Sequence, residues 1–187
     1  MTDRRTEILD AALLVLADHG MRGLTHRAVD GAAGIAPGST SYYFRSRSAL
    51  VAGCVERLLA LDVEREMPAL VAPRGSPLDV LVAVGVSMAT DQRHRTLARY
   101  ELSLAAVRDP ALRAELRAGG DTIRRLGAEA LAHLGAVEPD AAAAEIAALL
   151  DGLVFTALVR GPDDPVALAA WLRPPLARTL TALTAQP

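Results

Sequence analysis

The chain has 187 residues and a formal net charge of −2, and 51% of its residues are hydrophobic while 22% are charged. This length suits one or two domains and is too short for a multidomain enzyme, and the composition excludes a disordered or fibrous chain. Alanine, the best helix former, occupies 37 positions and only six residues are aromatic. We therefore expect an all-α fold of about nine helices.

Neither export nor membrane insertion is expected. The single cysteine, Cys54, cannot close an intrachain disulfide, and the first residues lack the apolar region of a secretory signal. The most apolar segment, Ile146–Val159, has 14 residues and falls short of the about 20 that span a bilayer. These features predict a cytoplasmic protein with no membrane partner. Because the net charge is slightly negative, any contact with nucleic acid has to be local.

Glycine and proline divide the chain into predicted helices, because both residues interrupt helical structure. A first helix is predicted from Arg4 to Asp18 and is followed by a helix that Thr25 caps and Gly34 closes. The others are predicted at Pro37–Tyr43, from after Ser46 to about Glu66, and at Leu78–Gln92, His94–Arg108, Pro110–Leu134, Pro139–Arg160 and Pro165–Ala185. A disturbance is expected in the last helix at Pro174 and Pro175.

The second and third predicted helices have the layout of a helix-turn-helix. They are joined by a tight turn at Ala33-Gly34-Ile35, and the second helix of such a pair fits the major groove of DNA. Three of the six aromatic residues are consecutive at 42–44, after three small hydroxyl residues and before Arg45 and Arg47. Hydroxyl groups and arginines are typical contacts to phosphates and base edges. The alternative is a short connector with core aromatics.

This segment resembles the tetracycline-repressor (TetR) family of transcriptional regulators over about Glu7–Leu50. The residues that carry the resemblance are Thr25, Arg27, Val29, Ala33-Gly34-Ile35, Gly38, Tyr43-Phe44, Arg47 and Leu50. The resemblance implies a dimeric, all-helical regulator, with a DNA-binding domain at residues 1–46 and a ligand-binding and dimerisation domain at 47–187. A connecting helix is expected at about 47–66.

The resemblance and the chemistry of the segment together predict the DNA contacts. They are Thr25, Arg27, Pro37, Gly38, Ser39, Thr40, Ser41, Tyr42, Tyr43 and Arg47. Two positions depart from the family pattern, since Ser41 stands where many members have tyrosine and Asp30 where alanine is usual. A carboxylate near DNA has to face away or pair with a cation, and Arg27 lies three residues earlier. Arg4 and Arg5 form either an arm that reaches DNA or a solvated terminus.

The C-terminal body is expected to hold a dimer interface, because Ile146–Val159 is apolar nearly all round and needs cover on both sides. The predicted interface residues are Leu149, Leu150, Leu153, Leu176 and Leu180. A monomer with a fully internal helix is the alternative.

A ligand pocket is predicted around Glu101, which has no ion partner among its helical neighbours. The predicted pocket residues are Ser87, Met88, Arg99, Tyr100, Glu101, Leu104 and Phe155. The alternative for Glu101, which we favour from the sequence, is a structural ion pair with an arginine on another helix, such as Arg124 or Arg125.

Catalysis finds little support in this sequence. The four histidines lack metal-ligand spacing, and neither a phosphate-binding glycine loop nor a nucleophile motif occurs. We therefore predict no metal, no cofactor and no enzyme activity. The predicted function is a regulator, most often a repressor in this family, which a small-molecule effector releases from a double-stranded inverted-repeat operator. The competing hypotheses are a helical lipid carrier or enzyme and a protein-interaction adaptor, neither with a DNA role.

Overall fold

The computed structural model describes the backbone of residues 3–71 and 75–184 and the side chains of residues 3–64 and 75–184. This part of the chain forms nine α-helices and no strand. They are α1 (Arg4–Gly23), α2 (His26–Ala33), α3 (Ser39–Tyr43), α4 (Arg47–Val71), α5 (Pro77–Ala89), α6 (Arg93–Ala106), α7 (Pro110–His133), α8 (Pro139–Arg160) and α9 (Pro165–Thr184). The all-α class predicted from the sequence is confirmed.

Helix α1 extends beyond its predicted end at Asp18 because it continues past a kink. Gly20 has a φ of 64° and a ψ of −173°, a conformation that glycine adopts without the penalty of a Cβ. The Glu101 side chain accepts a hydrogen bond from the Met21 amide at 2.9 Å, so it satisfies a donor that the kink leaves open. A contact with a residue 80 positions away therefore sets this end of the helix.

The two prolines inside α9 do not interrupt it, contrary to the predicted disturbance. Pro174 and Pro175 remove the bonds that the carbonyl groups of Ala170 and Trp171 would accept. Both of these residues are exposed, so water can bond their carbonyl groups.

The chain folds into two compact units. Unit 1 comprises the described residues of Met1–Leu61 together with His94–Gly120. Its core is formed mainly by α1, α4 and α6, to which α2 adds Val29 and the end of α3 adds Phe44. The largest fully buried side chains of this core are Ile8, Leu13, Leu16, Leu24, Leu50, Leu58 and Leu102. The predicted domain boundary near residue 46 stays a prediction.

Unit 2 comprises the described residues of Asp62–Arg93 together with Asp121–Pro187. Here α5, α8 and α9 pack against one another around Val82, Leu168, Leu172 and Leu176. A second cluster joins α7 and α8 through Leu131 and Ile146, among others.

The start of α5 is held by side chains on two helices of unit 2. Ser76 and Asp79 form a reciprocal capping box, and Arg173 of α9 donates a hydrogen bond to Asp79 at 2.7 Å. The side-chain hydrogen bonds from Ser76 and Arg173 lower the pKa of Asp79 to about 2. The carboxylate therefore stays ionised at neutral pH, where it caps α5 and links it to α9.

Candidate functional site

The α2–α3 segment has the local geometry that its sequence predicts. The Thr25 hydroxyl oxygen accepts a hydrogen bond from the Ala28 amide at 3.1 Å, which caps the start of α2. Gly34 closes the helix with a φ of 63°, in the left-handed region that favours glycine. Below the turn, Val29 and Phe44 are buried in the core of unit 1, so the aromatic at position 44 anchors the end of α3.

The outward face of α3 carries aromatic and hydroxyl groups. Tyr42 is 71% exposed and Tyr43 is 41% exposed, so both rings are accessible from solvent. The two rings meet edge to face at 5.3 Å, and the Arg45 guanidinium lies 5.9 Å from the centre of the Tyr42 ring. Together with exposed Ser41, these groups form a surface with hydroxyl donors and a positive charge, which suits phosphate and base-edge contacts.

Two of the predicted contact residues of α3 use their polar groups within the protein. The Thr40 side chain is fully buried, so its predicted role in contacting DNA is wrong. It lies on the side of α3 that faces α2, where its amide donates to Asp30 at 2.8 Å. Ser39 is half-buried, and its hydroxyl donates to the Ala36 carbonyl oxygen at 2.6 Å. This leaves Ser41 as the exposed hydroxyl residue among the three.

The remaining predicted DNA contacts lie at exposed positions: Thr25, Arg27, Pro37, Gly38 and Arg47. Because the Thr25 oxygen accepts its capping bond, the hydroxyl proton remains available to donate to a phosphate.

The predicted phosphate contact Arg47 also has a structural role. Its guanidinium donates to the carbonyl oxygen of Met21 and, at 3.3 Å, to that of Leu24. Arg47 thus ties the start of α4 to the end of α1. Since these bonds use only part of its five donors, a phosphate contact stays compatible with them.

The N-terminal arginines contact their own unit. Arg4 pairs with Glu7 at 2.6 Å, and Arg5 pairs with Glu56 at 3.3 Å while its guanidinium lies 5.0 Å from the centre of the Phe44 ring. These ion pairs lie at the surface, where such contacts are weak, so the role of the two arginines stays a prediction.

Asp30 is the residue of this segment whose role was missed in the sequence. It is 4% exposed and receives hydrogen bonds from the amides of Gly38 and Thr40. Its partners are backbone amides at the start of α3 and not Arg27, and the expectation that it faces away from DNA stays a prediction.

The predicted pocket residues do not gather around one described cavity. Glu101 bonds the Met21 amide, as described above, and Ser87 accepts a hydrogen bond from Gln92 at 3.0 Å in the turn after α5. Met88 is buried, whereas Leu104 and Phe155 are 60% and 53% exposed. Arg124, one of the two proposed ion partners of Glu101, pairs with Asp121. The role of these seven residues as a ligand pocket stays a prediction.

A cavity of about 370 Å³ lies within unit 2, between α5, α7, α8 and α9. Its lining is almost entirely apolar and includes one arginine, one histidine and no carboxylate. The lining residues are Pro77, Val80, Leu81, Val84, Ile123, Arg124, Gly127, Ala130, Leu131, His133, Leu134, Ala143, Ile146, Ala147, Leu150 and Leu180. Its volume is in the range of small-molecule sites, about 300–1,000 Å³.

Helix α8 leaves much of its apolar surface uncovered within the described residues. It has 22 residues, and by length and composition it is apolar enough to cross a membrane. Core helices of other proteins meet the same two criteria. In its most apolar 18-residue stretch, 22% of the residues are buried. The sequence prediction of a 14-residue apolar segment was too short because it left out the preceding alanines. Ala144, Ala148, Phe155 and Val159 are exposed along one face of the helix, which also carries the exposed Asp151.

The predicted interface residues lie at different depths. Leu149, Leu150, Leu153 and Leu180 are half-buried, and two of them, Leu150 and Leu180, line the cavity. Leu176 is fully buried in the cluster between α5 and α9, so it has no surface to offer to a second chain. The exposed apolar residues of α9 instead include Val166, Ala170 and Trp171.

Cys54 and the histidines give no sign of a reactive site. Cys54 is fully buried, and burial raises the pKa of its thiol to about 12, which favours a packing role over a thiol sensor. His26 donates through Nε2 to the Phe44 carbonyl oxygen at 2.8 Å. No group of three or more potential metal ligands occurs among the described residues.

Two family models match the sequence. The model described as "Bacterial regulatory proteins, tetR family" matches residues 8–54, and "Tetracyclin repressor-like, C-terminal domain" matches residues 72–186. The HTH-type transcriptional regulator BetI of Paraburkholderia phymatum is 31% identical over 181 residues, which are 91% of this chain and 88% of that protein.

Two further similarities concern a repressor and a ligand-bound structure. The HTH-type transcriptional repressor KstR2 of Rhodococcus jostii is 33% identical over 100 residues, and this match spans 52% of the chain and about half, 48%, of that protein. The crystal structure of the multidrug binding protein EbrR complexed with ethidium is 29% identical, with a TM-score of 0.71. That similarity covers 95% of this chain and 98% of the EbrR chain.

Proposed function

Because this chain belongs to the tetR family of bacterial regulatory proteins, we propose that it represses transcription as a homodimer on an inverted-repeat operator and leaves that operator when a small molecule binds. It is a DNA-binding regulator and not an enzyme. The competing hypotheses of a lipid carrier and of an adaptor without a DNA role do not explain the match of residues 8–54 to a regulator family.

The outward face of α3 provides the main support for DNA binding. A short helix presents Ser41, Tyr42 and Tyr43 to solvent, while Phe44 anchors it from below. In a helix-turn-helix, the second helix enters the major groove, and the first crosses the backbone. On this arrangement Tyr42 reaches the DNA, and Thr25 and Arg27 at the start of α2 contact phosphates.

Replacing Tyr42 with alanine is expected to weaken operator binding by about tenfold, because it removes both a hydroxyl donor and an apolar ring from the DNA-facing surface. Tyr42→Phe separates the two, since it keeps the ring. The thermal unfolding of both variants is expected to match that of the wild type, because Tyr42 is 71% exposed. The measurement is a fluorescence-anisotropy titration with a labelled operator, and equal affinities for all three proteins would contradict the assignment.

The uncovered apolar face of α8 supports the homodimer. Large exposed apolar surfaces usually mark an interface with another molecule. In a two-fold symmetric dimer, the same surface of each chain packs against its counterpart on the other chain. The exposed residues Val166, Ala170 and Trp171 of α9 extend the apolar surface. A four-helix interface of α8 and α9 from two chains would bury both sets.

The unit 2 cavity is the proposed effector site. Its lining contains one arginine, one histidine and no carboxylate, so it suits a neutral or anionic apolar molecule better than a cation. An effector releases the operator if it binds more tightly to the arrangement of the dimer that does not match the operator half-sites. We assign the coupling to α4, which follows the DNA-binding segment directly and contributes residues to both units.

Filling the cavity is expected to exclude apolar molecules. Ala130→Phe places a ring against the lining, whereas Ala132→Phe, two residues along α7, adds the same ring at an exposed position that does not line the cavity. The probe is the neutral dye N-phenyl-1-naphthylamine, whose fluorescence rises in apolar surroundings. We expect its affinity to fall by about tenfold or more in Ala130→Phe alone. Equal dye binding by both variants would place the dye elsewhere and remove the support for this site.

A further inference from the structure

Helix α3 is too short to hold its own conformation. It has five residues, and the cost of starting a helix makes such a segment unstable in isolation. Its N-cap is Gly38, which has a φ of 92° and no side chain to accept hydrogen bonds from the first amides. Other parts of the chain therefore have to satisfy and fix its ends.

Asp30 of α2 supplies the missing cap. Its Oδ2 accepts a hydrogen bond from the Gly38 amide at 2.7 Å, and its Oδ1 accepts one from the Thr40 amide at 2.8 Å. Burial by itself raises the pKa of Asp30. The hydrogen bonds from Thr40 and Gly38, together with the nearby His26, lower it by more than burial raises it, so the pKa lies below its ordinary value. The carboxylate is thus charged at neutral pH and complements the positive end of α3.

His26 of the same helix holds the other end of α3. Its Nε2 donates to the carbonyl oxygen of Phe44, the residue that caps α3 at its C-terminus, at 2.8 Å. His26 and Asp30 are four residues apart and so lie on one face of α2. Both ends of the short helix are therefore tied to a single face of the helix before it.

We propose that His26 and Asp30 form a polar clamp that fixes the orientation of α3 and thereby sets the specificity of operator binding. Both are positioning residues: they act through the backbone of α3 and leave Ser41, Tyr42 and Tyr43 to face the DNA. The proposal rests on the proposed function, since it takes α3 as the element that enters the major groove. The clamp orients base contacts, so its loss reduces binding to the operator more than binding to unrelated DNA.

Neutralising Asp30 distinguishes the two explanations, because a purely electrostatic effect would raise the affinity for the operator, whereas loss of positioning would lower it. Removing a negative charge close to DNA strengthens binding to any sequence if charge alone matters. Asp30→Asn keeps the size of the side chain but places an amide N–H group against one of the two backbone N–H donors. Loss of the clamp therefore weakens operator binding in spite of the favourable change in charge.

The experiment compares the affinity for the operator selected by the wild-type protein with that for a scrambled duplex, at fixed salt and at a temperature where circular dichroism shows each variant folded. We expect the ratio of the two affinities to fall by about tenfold to a hundredfold in Asp30→Asn. Asp18→Asn is the control, since it removes one exposed carboxylate of α1 in the same unit and leaves α3 untouched. Its ratio is expected to stay at the wild-type value.

A second pair of variants tests the contact of His26 with the C-terminal end of α3. His26→Ala removes the donor to Phe44, whereas His26→Gln keeps a side-chain N–H group at nearly the same reach. We expect the specificity ratio to fall in His26→Ala and to recover most of its wild-type value in His26→Gln. Recovery by an uncharged donor distinguishes positioning from a charge contact with phosphate. If Asp30→Asn does not fold, the His26 pair decides the question.

The outcomes separate the two proposals. A wild-type protein without any preferred duplex would defeat the proposed function. A wild-type protein with a clear operator, combined with an unchanged ratio in Asp30→Asn or equal ratios in His26→Ala and His26→Gln, would overturn the clamp and leave the function standing.

Discussion

An Ala148→Arg variant is expected to be monomeric at concentrations where the wild-type protein is dimeric, and to lose high-affinity operator binding as a result. Ala148 lies on the exposed face of α8 between Ala144 and Phe155, at the centre of the surface assigned to the dimer. An arginine there would force a long side chain and its charge into a closely packed interface, which costs about 3–5 kcal/mol. Because the interface is symmetric, it contains the substituted residue of both chains, and the dissociation constant of the dimer is expected to rise by about a thousandfold or more.

The measurement is sedimentation velocity across a concentration series, followed by an operator titration with the same samples. Ala114→Arg is the matched control, because Ala114 is an exposed alanine of α7 with charged neighbours at 113 and 115. It is expected to stay dimeric and to bind the operator as the wild type does. A dimer that survives Ala148→Arg would move the interface away from α8.

The second large effect is expected from Phe44→Ala, which should lower the free energy of unfolding by about 3–5 kcal/mol. Phe44 is 2% exposed, and the backbone of Gly53 in α4 comes so close to its ring that a Cβ at position 53 would lie 2.8 Å from Cε1. Because the ring is held between α1 and α4, its removal leaves a cavity that the helices cannot close. Operator binding should fall with stability, since the ring also anchors α3.

Tyr42→Ala provides the comparison within the same aromatic run. Its ring is 71% exposed, so the variant should unfold within about 0.5 kcal/mol of the wild type while losing operator affinity. Urea unfolding followed by circular dichroism measures both free energies. If Phe44→Ala proved as stable as Tyr42→Ala, the assignment of Phe44 as the anchor of α3 would be wrong.

Much of the fold follows from local rules that can be applied to the sequence. The ends of α2 were predicted from Thr25 and Gly34, because an N-cap hydroxyl and a left-handed glycine act within one turn. The bounds of α8 were predicted from Pro139 and from the glycine and proline after Arg160. The apolar surface of α8 could also be predicted, since a helix that is apolar all round needs cover on every side.

The features that the sequence did not predict depend on contacts between distant residues. The end of α1 is set by Glu101, 80 residues beyond Met21, and no local rule connects the two. Thr40 was taken for a DNA contact because a five-residue helix is too short to show which of its faces is buried. Asp30 was judged by its charge, whereas its role comes from backbone amides eight and ten residues later.

Selection of duplexes from a pool of genomic fragments tests most directly whether this chain binds operator DNA as a dimer. The purified protein is expected to enrich an inverted repeat whose half-sites lie about one or two helical turns apart, with an affinity that falls steeply as salt rises. Ala148→Arg should lose that enrichment, and Tyr42→Ala should reduce it. Weak binding without sequence preference by the wild-type protein would contradict the account.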